Sequence, residues 1–173
     1  MNVVAPPVLA LLAIGGLTLA LTRREPEDPR LVLAGNHAFT TGEVLAGIAT
    51  PEPDDTDAIG RAALMVSAFY WDHGYADIDV GTPSVDGAAI TIPVVEGPKF
   101  TIGKVALHGD VLGTASLVQT HPGMTFSRTA IAADREALNR YYVARGYAYA
   151  NVIPRTSIAN TTIDVSFEID ASK

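Results

Sequence analysis

Apolar positions follow three different periods along this chain. From Val3 to Thr22 they run almost without a break and none of these residues is charged. Twenty residues at the helical rise approach the thickness of a bilayer's hydrocarbon core. From Ala58 to Tyr75 (AIGRAALMVSAFYWDHGY) and again from Ala130 to Tyr147 (AIAADREALNRYYVARGY), apolar side chains fall at i, i+7, i+10 and i+11. That spacing lies on one face of a helix. From Thr162 to Asp170, Ile163, Val165, Phe167 and Ile169 alternate strictly with polar residues, the period of a strand with one buried face.

The two helical stretches are copies of each other. A shift of 72 pairs Ile59 with Ile131, Val66 with Leu138, Phe69 with Tyr141 and Tyr70 with Tyr142. It also pairs Gly74 with Gly146 and Tyr75 with Tyr147. Each helix is expected to stop at its glycine, which closes a C-terminus in the left-handed conformation. His73 and Arg145, one residue earlier, can reach the last free carbonyls. A shorter helix is predicted before each long one, at Thr40–Ala49 and Thr114–Thr120. Ahead of those lie extended runs at Arg30–Ala34 and Phe100–Leu107, leading into the turns Gly35-Asn36 and Gly109-Asp110. Behind each long helix, two strands are predicted: Ala76–Gly81 and Ala88–Val95 in the first copy, Ala148–Ile153 and Thr162–Asp170 in the second. Each copy thus reads strand–helix–helix–strand–strand. This predicts an α+β chain of two tandem units, each a three-stranded mixed sheet covered on one face by two helices. An N-terminal hydrophobic helix precedes them.

Residues 23–29 (RREPEDP) are charged, hold two prolines and read as a linker. The segment before them is expected to be an export signal or an uncleaved anchor. Arg23 and Arg24 follow its apolar stretch rather than precede it, and no small-x-small cleavage site stands out. The expected units are residues 30–98 and 99–173.

Charge and chemistry narrow the functional class. The 173-residue chain carries a formal net charge of -7 and no run of five basic residues, so a nucleic-acid partner is not expected. Without cysteine there is no disulfide, thiol chemistry or cysteine-ligated zinc. His37, His73, His108 and His121 fall in or near turns without metal-ligand spacing. Gly109 and Gly113 are followed by no Gly-Lys-Ser/Thr, so a phosphate cradle is not expected either. The acidic cluster Glu52, Asp54, Asp55 and Asp57 precedes a predicted helix and reads as N-capping rather than cation binding. No catalytic, metal or cofactor site is predicted.

With these residues in place, the chain resembles the polypeptide-transport-associated (POTRA) family. The motifs are a Gly-Asn-x-x-Phe turn (Gly35, Asn36, Phe39) and a helix ending Tyr-x-x-x-Gly-Tyr, present twice as Tyr70, Gly74, Tyr75 and Tyr142, Gly146, Tyr147. A closing Glu-Gly-Pro (Glu96, Gly97, Pro98) runs into Phe-x-Ile-Gly (Phe100, Ile102, Gly103), similar to the junction between consecutive POTRA domains. The likeness covers about residues 30 to 173; the second copy ends without a Glu-Gly-Pro. In the outer-membrane assembly proteins that the chain resembles (BamA-like and TamA-like), such domains face the periplasm and precede a membrane β-barrel. The resemblance implies a non-catalytic role in outer-membrane protein assembly. Its implied partners are unfolded or extended outer-membrane polypeptides and assembly subunits, with a C-terminal barrel if the chain is a fragment. Two alternatives stay open: a two-partner-secretion transporter and a membrane-anchored, division-type scaffold.

In POTRA-like folds the strand after the long helix lies at a sheet edge. An edge presents unpaired backbone groups that an added peptide strand can satisfy. The expected partner-binding residues are therefore Ala76, Asp77, Ile78, Asp79 and Val80, and Ala148, Tyr149, Ala150, Asn151 and Val152. The alternative is a plain edge guarded by Asp77, Asp79, Pro83 and Pro154. Trp71, beside the buried stripe, is expected to be an exposed contact, whereas the other aromatics pack helix onto sheet.

Overall fold

Helix starts in this chain are set by side chains that accept from the first free amides. In the computed structural model, which describes residues 30–173, Thr40 and Glu43 form a reciprocal capping box at α1 (Thr41–Leu45). Asp55 accepts from the Ala58 N–H at the start of α2 (Thr56–Asp72), the role expected of the acidic cluster. Ser127 does the same for Ala130 at α3 (Arg128–Val143). The expected signal or anchor at 1–22 and the linker at 23–29 lie outside the described residues.

Both long helices end as their glycines require. Gly74 and Gly146 take φ of +100° and +89°, and the Tyr75 and Tyr147 N–H groups return to the Tyr70 and Tyr142 carbonyls. The His73 ring and the Arg145 guanidinium reach the carbonyls of Phe69 and Tyr141.

In the first half, β1 (Leu31–Ala34) runs parallel to β4 (Ala89–Val95) in the register Leu31↔Ile90 to Ala34↔Pro93. Along the other side of β4, β2 (Asp79–Val80) and β3 (Ser84–Asp86) pair antiparallel, from Asp79↔Val95 to Asp86↔Ala89. They act as one strand interrupted at Gly81–Pro83. In the second half, β7 (Thr162–Asp170) is central, with β5 (Thr101–His108) parallel on one side and β6 (Asn151–Ala159) antiparallel on the other. The register of β5 slips between Ile102 and Val105. There the Asp164 carboxylate accepts from the Lys104 N–H at 2.6 Å, and a Cβ on Gly103 would collide with it.

Each helix lays its stripe on one sheet face. Ile59, Ala62, Val66 and Tyr70 of α2 are buried with Ile90, Ile92 and Val94 of β4 in one core. Ile131, Leu138 and Tyr142 of α3 are buried with Ile163, Val165, Phe167 and Ile169 in another. At roughly 1.5–3 kcal/mol per large apolar side chain, burial of these stripes is the main term holding helix to sheet.

Two helix expectations need correction. The first short helix stops at Leu45, because Gly47 at φ +80° turns the chain. The second is only the 3-10 turn Ala115–Leu117. Its backbone is held by side chains instead: Asp110 accepts from the Leu112 and Thr114 amides, and the buried Asp134 accepts from Gln119 and Thr120. Asp134 stands where the first half has Ala62. The second sheet is thus covered by one α-helix and a pinned loop rather than by two helices.

Candidate interaction edges

Strand β6 is the longest open edge on the side where the sequence placed partner binding. Among the described residues it pairs only with β7, from Asn151↔Asp170 to Ala159↔Thr162. The two-residue turn Asn160-Thr161 closes on the Ala159↔Thr162 pair. In a ladder closed this way, odd-numbered residues from 159 down to 151 bond inward. Pro154, opposite Phe167, fits the same alternation, since its missing N–H then leaves the ladder intact. Val152, Thr156 and Ile158 therefore turn their amides away from β7. Ile153 and Ile158 are exposed on opposite faces of the strand.

The matching edge of the first half is shorter and broken. At Gly81 the chain donates to the Pro93 carbonyl, and Thr82-Pro83 separates β2 from β3.

The sequence set both edge strands too early. Ala76, Asp77 and Ile78 lie in a turn closed by the Ile78 N–H on Tyr75 O; Ala148, Tyr149 and Ala150 lie in its copy, closed by Ala150 on Tyr147. Of the ten expected residues, only Asp79, Val80, Asn151 and Val152 are in strands. The strand then continues past the predicted Ile153 to Ala159. Val152 is buried, so its side chain serves the core.

Each half also carries a carboxylate–tyrosine latch between its long helix and its sheet, and the two latches differ. Glu96 accepts from the Tyr70 hydroxyl at 2.8 Å and from the His37 and Ala38 amides at 2.8 and 2.9 Å. In the second half Asp110 accepts from the Tyr142 hydroxyl at 2.7 Å. The correspondence is fixed by two glycines: a Cβ on Gly35 would strike the Val94 carbonyl oxygen, and one on Gly109 the Ile169 carbonyl oxygen. Val94 thus matches Ile169, which places Ala171 where the first half has Glu96. The carboxylate sits just past the last strand in the first half and in the turn in the second, where Asp110 stands in place of Asn36. Asn36 instead donates to the Phe39 carbonyl.

Burial and the bond to Glu96 push the Tyr70 hydroxyl well above its ordinary range, and burial and Asp110 raise Tyr142. Burial alone would raise the two carboxyls. Hydrogen bonds from Ala38, Tyr70 and His37 outweigh it at Glu96, as do those from Tyr142 and Thr114 at Asp110, so both carboxyls fall below their ordinary values.

A second device joins the halves. Asp72, at the end of α2, accepts from the Thr129 N–H at 2.8 Å, the Thr129 hydroxyl at 2.7 Å and the Ser127 hydroxyl at 3.1 Å. These bonds overcome the upward push of burial and lower its carboxyl. The Phe100 N–H meets the Gly74 carbonyl at 2.7 Å. Trp71, expected to be exposed, is half-buried against the second core, with the Arg128 guanidinium 4.5 Å from its ring centre. Its position off the first stripe points it at the neighbouring half.

Among the described residues no three His, Asp or Glu side chains converge as metal ligands, and no helix is long and apolar enough to cross a membrane.

Comparison with known proteins matches this architecture. The family model "POTRA: Surface antigen variable number repeat" matches residues 100–172. The Outer membrane protein assembly factor BamA of Nitratidesulfovibrio vulgaris (strain Hildenborough) is 28% identical over 127 residues, which cover 65% of this chain and 16% of that protein. The chain therefore spans about one sixth of this relative's length. The crystal structure of Haemophilus influenzae BamA POTRA3-5 superposes with a TM-score of 0.65 at 19% identity, covering 83% of this chain and 65% of that one. POTRA1-2 of the periplasmic domain of Omp85 from Anabaena superposes at 0.51 with 12% identity, covering 80% of this chain and 91% of that one. At these identities the structural likeness is one of fold. Residues 100–172 match the POTRA family model, and the described residues have the fold of the POTRA region of BamA-type and Omp85 proteins.

Proposed function

We propose that this chain is a periplasm-facing pair of POTRA modules, residues 30–98 and 99–173. It binds extended polypeptides and assembly partners during outer-membrane protein assembly. Binding occurs by β-augmentation, chiefly at β6, with no chemical step. The observation that carries this reading is the nine-residue β6, bonded on one side only among the described residues. Main-chain groups supply the affinity in such pairing, so clients of unrelated sequence can share one edge. Ile153 and Ile158, exposed on opposite faces, would favour a client strand with an apolar residue beside each. The interrupted β2–β3 edge offers a poorer template. The similarity to an outer membrane protein assembly factor supports the choice of process.

The test uses neighbouring prolines. Thr156→Pro removes an outward amide and should weaken binding of an extended, alternating apolar peptide by about tenfold, as expected for one lost main-chain bond and a distorted edge. Its melting transition should change little. Ser157→Pro removes an inward amide and should instead unfold the β6–β7 hairpin. Unchanged peptide affinity in a folded Thr156→Pro variant would overturn the proposal.

A further inference from the structure

The shift of 72 that relates the two helices also exposes where they differ. On α2, Gly60, Leu64, Met65 and Ala68 form an exposed stripe on the side away from the sheet, with Leu64 67% and Met65 48% exposed. The equivalent positions of α3 are Ala132, Glu136, Ala137 and Arg140, and Glu136 there pairs with Arg135. The second helix thus has the charged outer face expected of a helix in water. The first does not; Arg61 is the basic side chain on its face. Gly60 adds a second anomaly. A glycine inside a helix weakens it relative to alanine. Yet Gly60 has no positive φ, and an added Cβ would meet nothing within 4 Å. Among the described residues, neither backbone geometry nor packing calls for it. Its missing side chain leaves room there for a close approach from outside.

Charge identifies the occupant. Residues 30–99 hold ten acidic and three basic side chains, whereas residues 100–173 hold six acidic and seven basic. The negative charge of the two folded halves therefore sits on the half that bears the apolar stripe. Glu52, Asp54, Asp55 and Asp57, all exposed, lie at the N-terminal end of the same helix. Two copies of such a face would repel each other, and so would an anionic lipid surface. We propose that the outer face of α2 is a docking surface for a partner protein that presents an apolar ridge flanked by basic side chains. Leu64 and Met65 are its anchors, Gly60 and Ala68 let the ridge come close, and the acidic N-terminal turn meets the basic flank. This face is on the helical layer, remote in role from β6, and it survives or fails independently of edge binding.

The probe is an amphipathic helical peptide with a leucine stripe flanked by lysines, added to the full isotope-labelled chain. Resonance shifts should centre on Gly60 to Ala68, and affinity should fall with added salt. Installing the second helix's residues, Leu64→Glu with Ala68→Arg, should weaken binding about tenfold or more, given the apolar area lost. The melting midpoint should not move; Leu64→Ser, a milder change, should show the same loss in smaller measure. Equal binding of a glutamate-flanked peptide would overturn the proposal, as would wild-type affinity in the double variant or shifts confined to β6. So would self-association abolished by the double variant, binding of anionic vesicles through Leu64, or protection of Leu64 by residues 1–29 of the same chain.

Discussion

Removing the Glu96 carboxylate should unlatch the first POTRA-like unit and leave the second untouched. In Glu96→Ala the His37 and Ala38 amides can turn to water, because both residues are exposed. The Tyr70 hydroxyl cannot follow, since Tyr70 is fully buried. An unsatisfied buried hydroxyl costs about 1–3 kcal/mol, and a lost hydrogen bond to a charged acceptor about 1.5–3 kcal/mol. These overlap, so the expected loss is about 2–4 kcal/mol, a large share of a small domain's stability. Tyr70→Phe should cost only about 1 kcal/mol, since the carboxylate keeps two amide donors. A double-mutant cycle should then give a coupling of about 1–2 kcal/mol. Native-state hydrogen exchange in urea separates the halves: protection should fall at Ile90, Ile92 and Val94 and persist at Ile163, Val165 and Phe167. Equal losses in both halves, or a coupling of zero, would refute the latch.

The same carboxylates set the response to acid. Glu96, Asp110 and Asp72 all titrate below their ordinary values when folded. Their stabilisation is therefore complete above the unfolded values of 4.5 for Glu96 and 3.8 for the aspartates, and is lost as pH falls through the lower folded values. Unfolding followed against pH should show a steeper acid limb in the wild type than in Glu96→Gln. Asp72→Ala removes an inter-half cap and should cost about 1–2 kcal/mol; small-angle scattering should also show a broader range of inter-half orientations. Asp134→Ala should cost about 2–4 kcal/mol in chemical denaturation, because it strands the Gln119 and Thr120 amides in a part-buried loop. Gly109→Ala should destabilise by at least about 1 kcal/mol, since φ is +74° and the Cβ meets a carbonyl oxygen. Thermal melting of the variant against Gly113→Ala, whose Cβ finds open space, checks that the collision matters as well as the φ.

The helices were legible because their buried stripes repeat at one shift, and Ile59, Val66 and Tyr70 occupy the same burial as Ile131, Leu138 and Tyr142. The edge strands were misplaced because ADIDV alternates whether or not it is paired, and the glycine stop is followed by another tight turn before pairing begins. The fate of the second short helix was written in Asp134, a charge on an otherwise apolar stripe. Such a residue demands a buried partner, and here it takes two backbone amides. The latch was hidden for a different reason. A stripe tyrosine advertises a hydroxyl that needs an acceptor, but Glu96 and Asp110 come from opposite ends of their units, so no shared spacing links them. Trp71 lies off the buried stripe of its own helix, and the surface that covers it belongs to the other half, which no periodicity within one unit reveals.

The most direct measurement is amide exchange along β6 in the full chain, with and without an extended peptide of alternating apolar and polar residues. Edge pairing predicts new protection at Val152, Thr156 and Ile158, with little change at Ile153, Arg155 and Ser157, which already bond inward. Protection that ignores this alternation, or that appears only on the helices, would contradict the account.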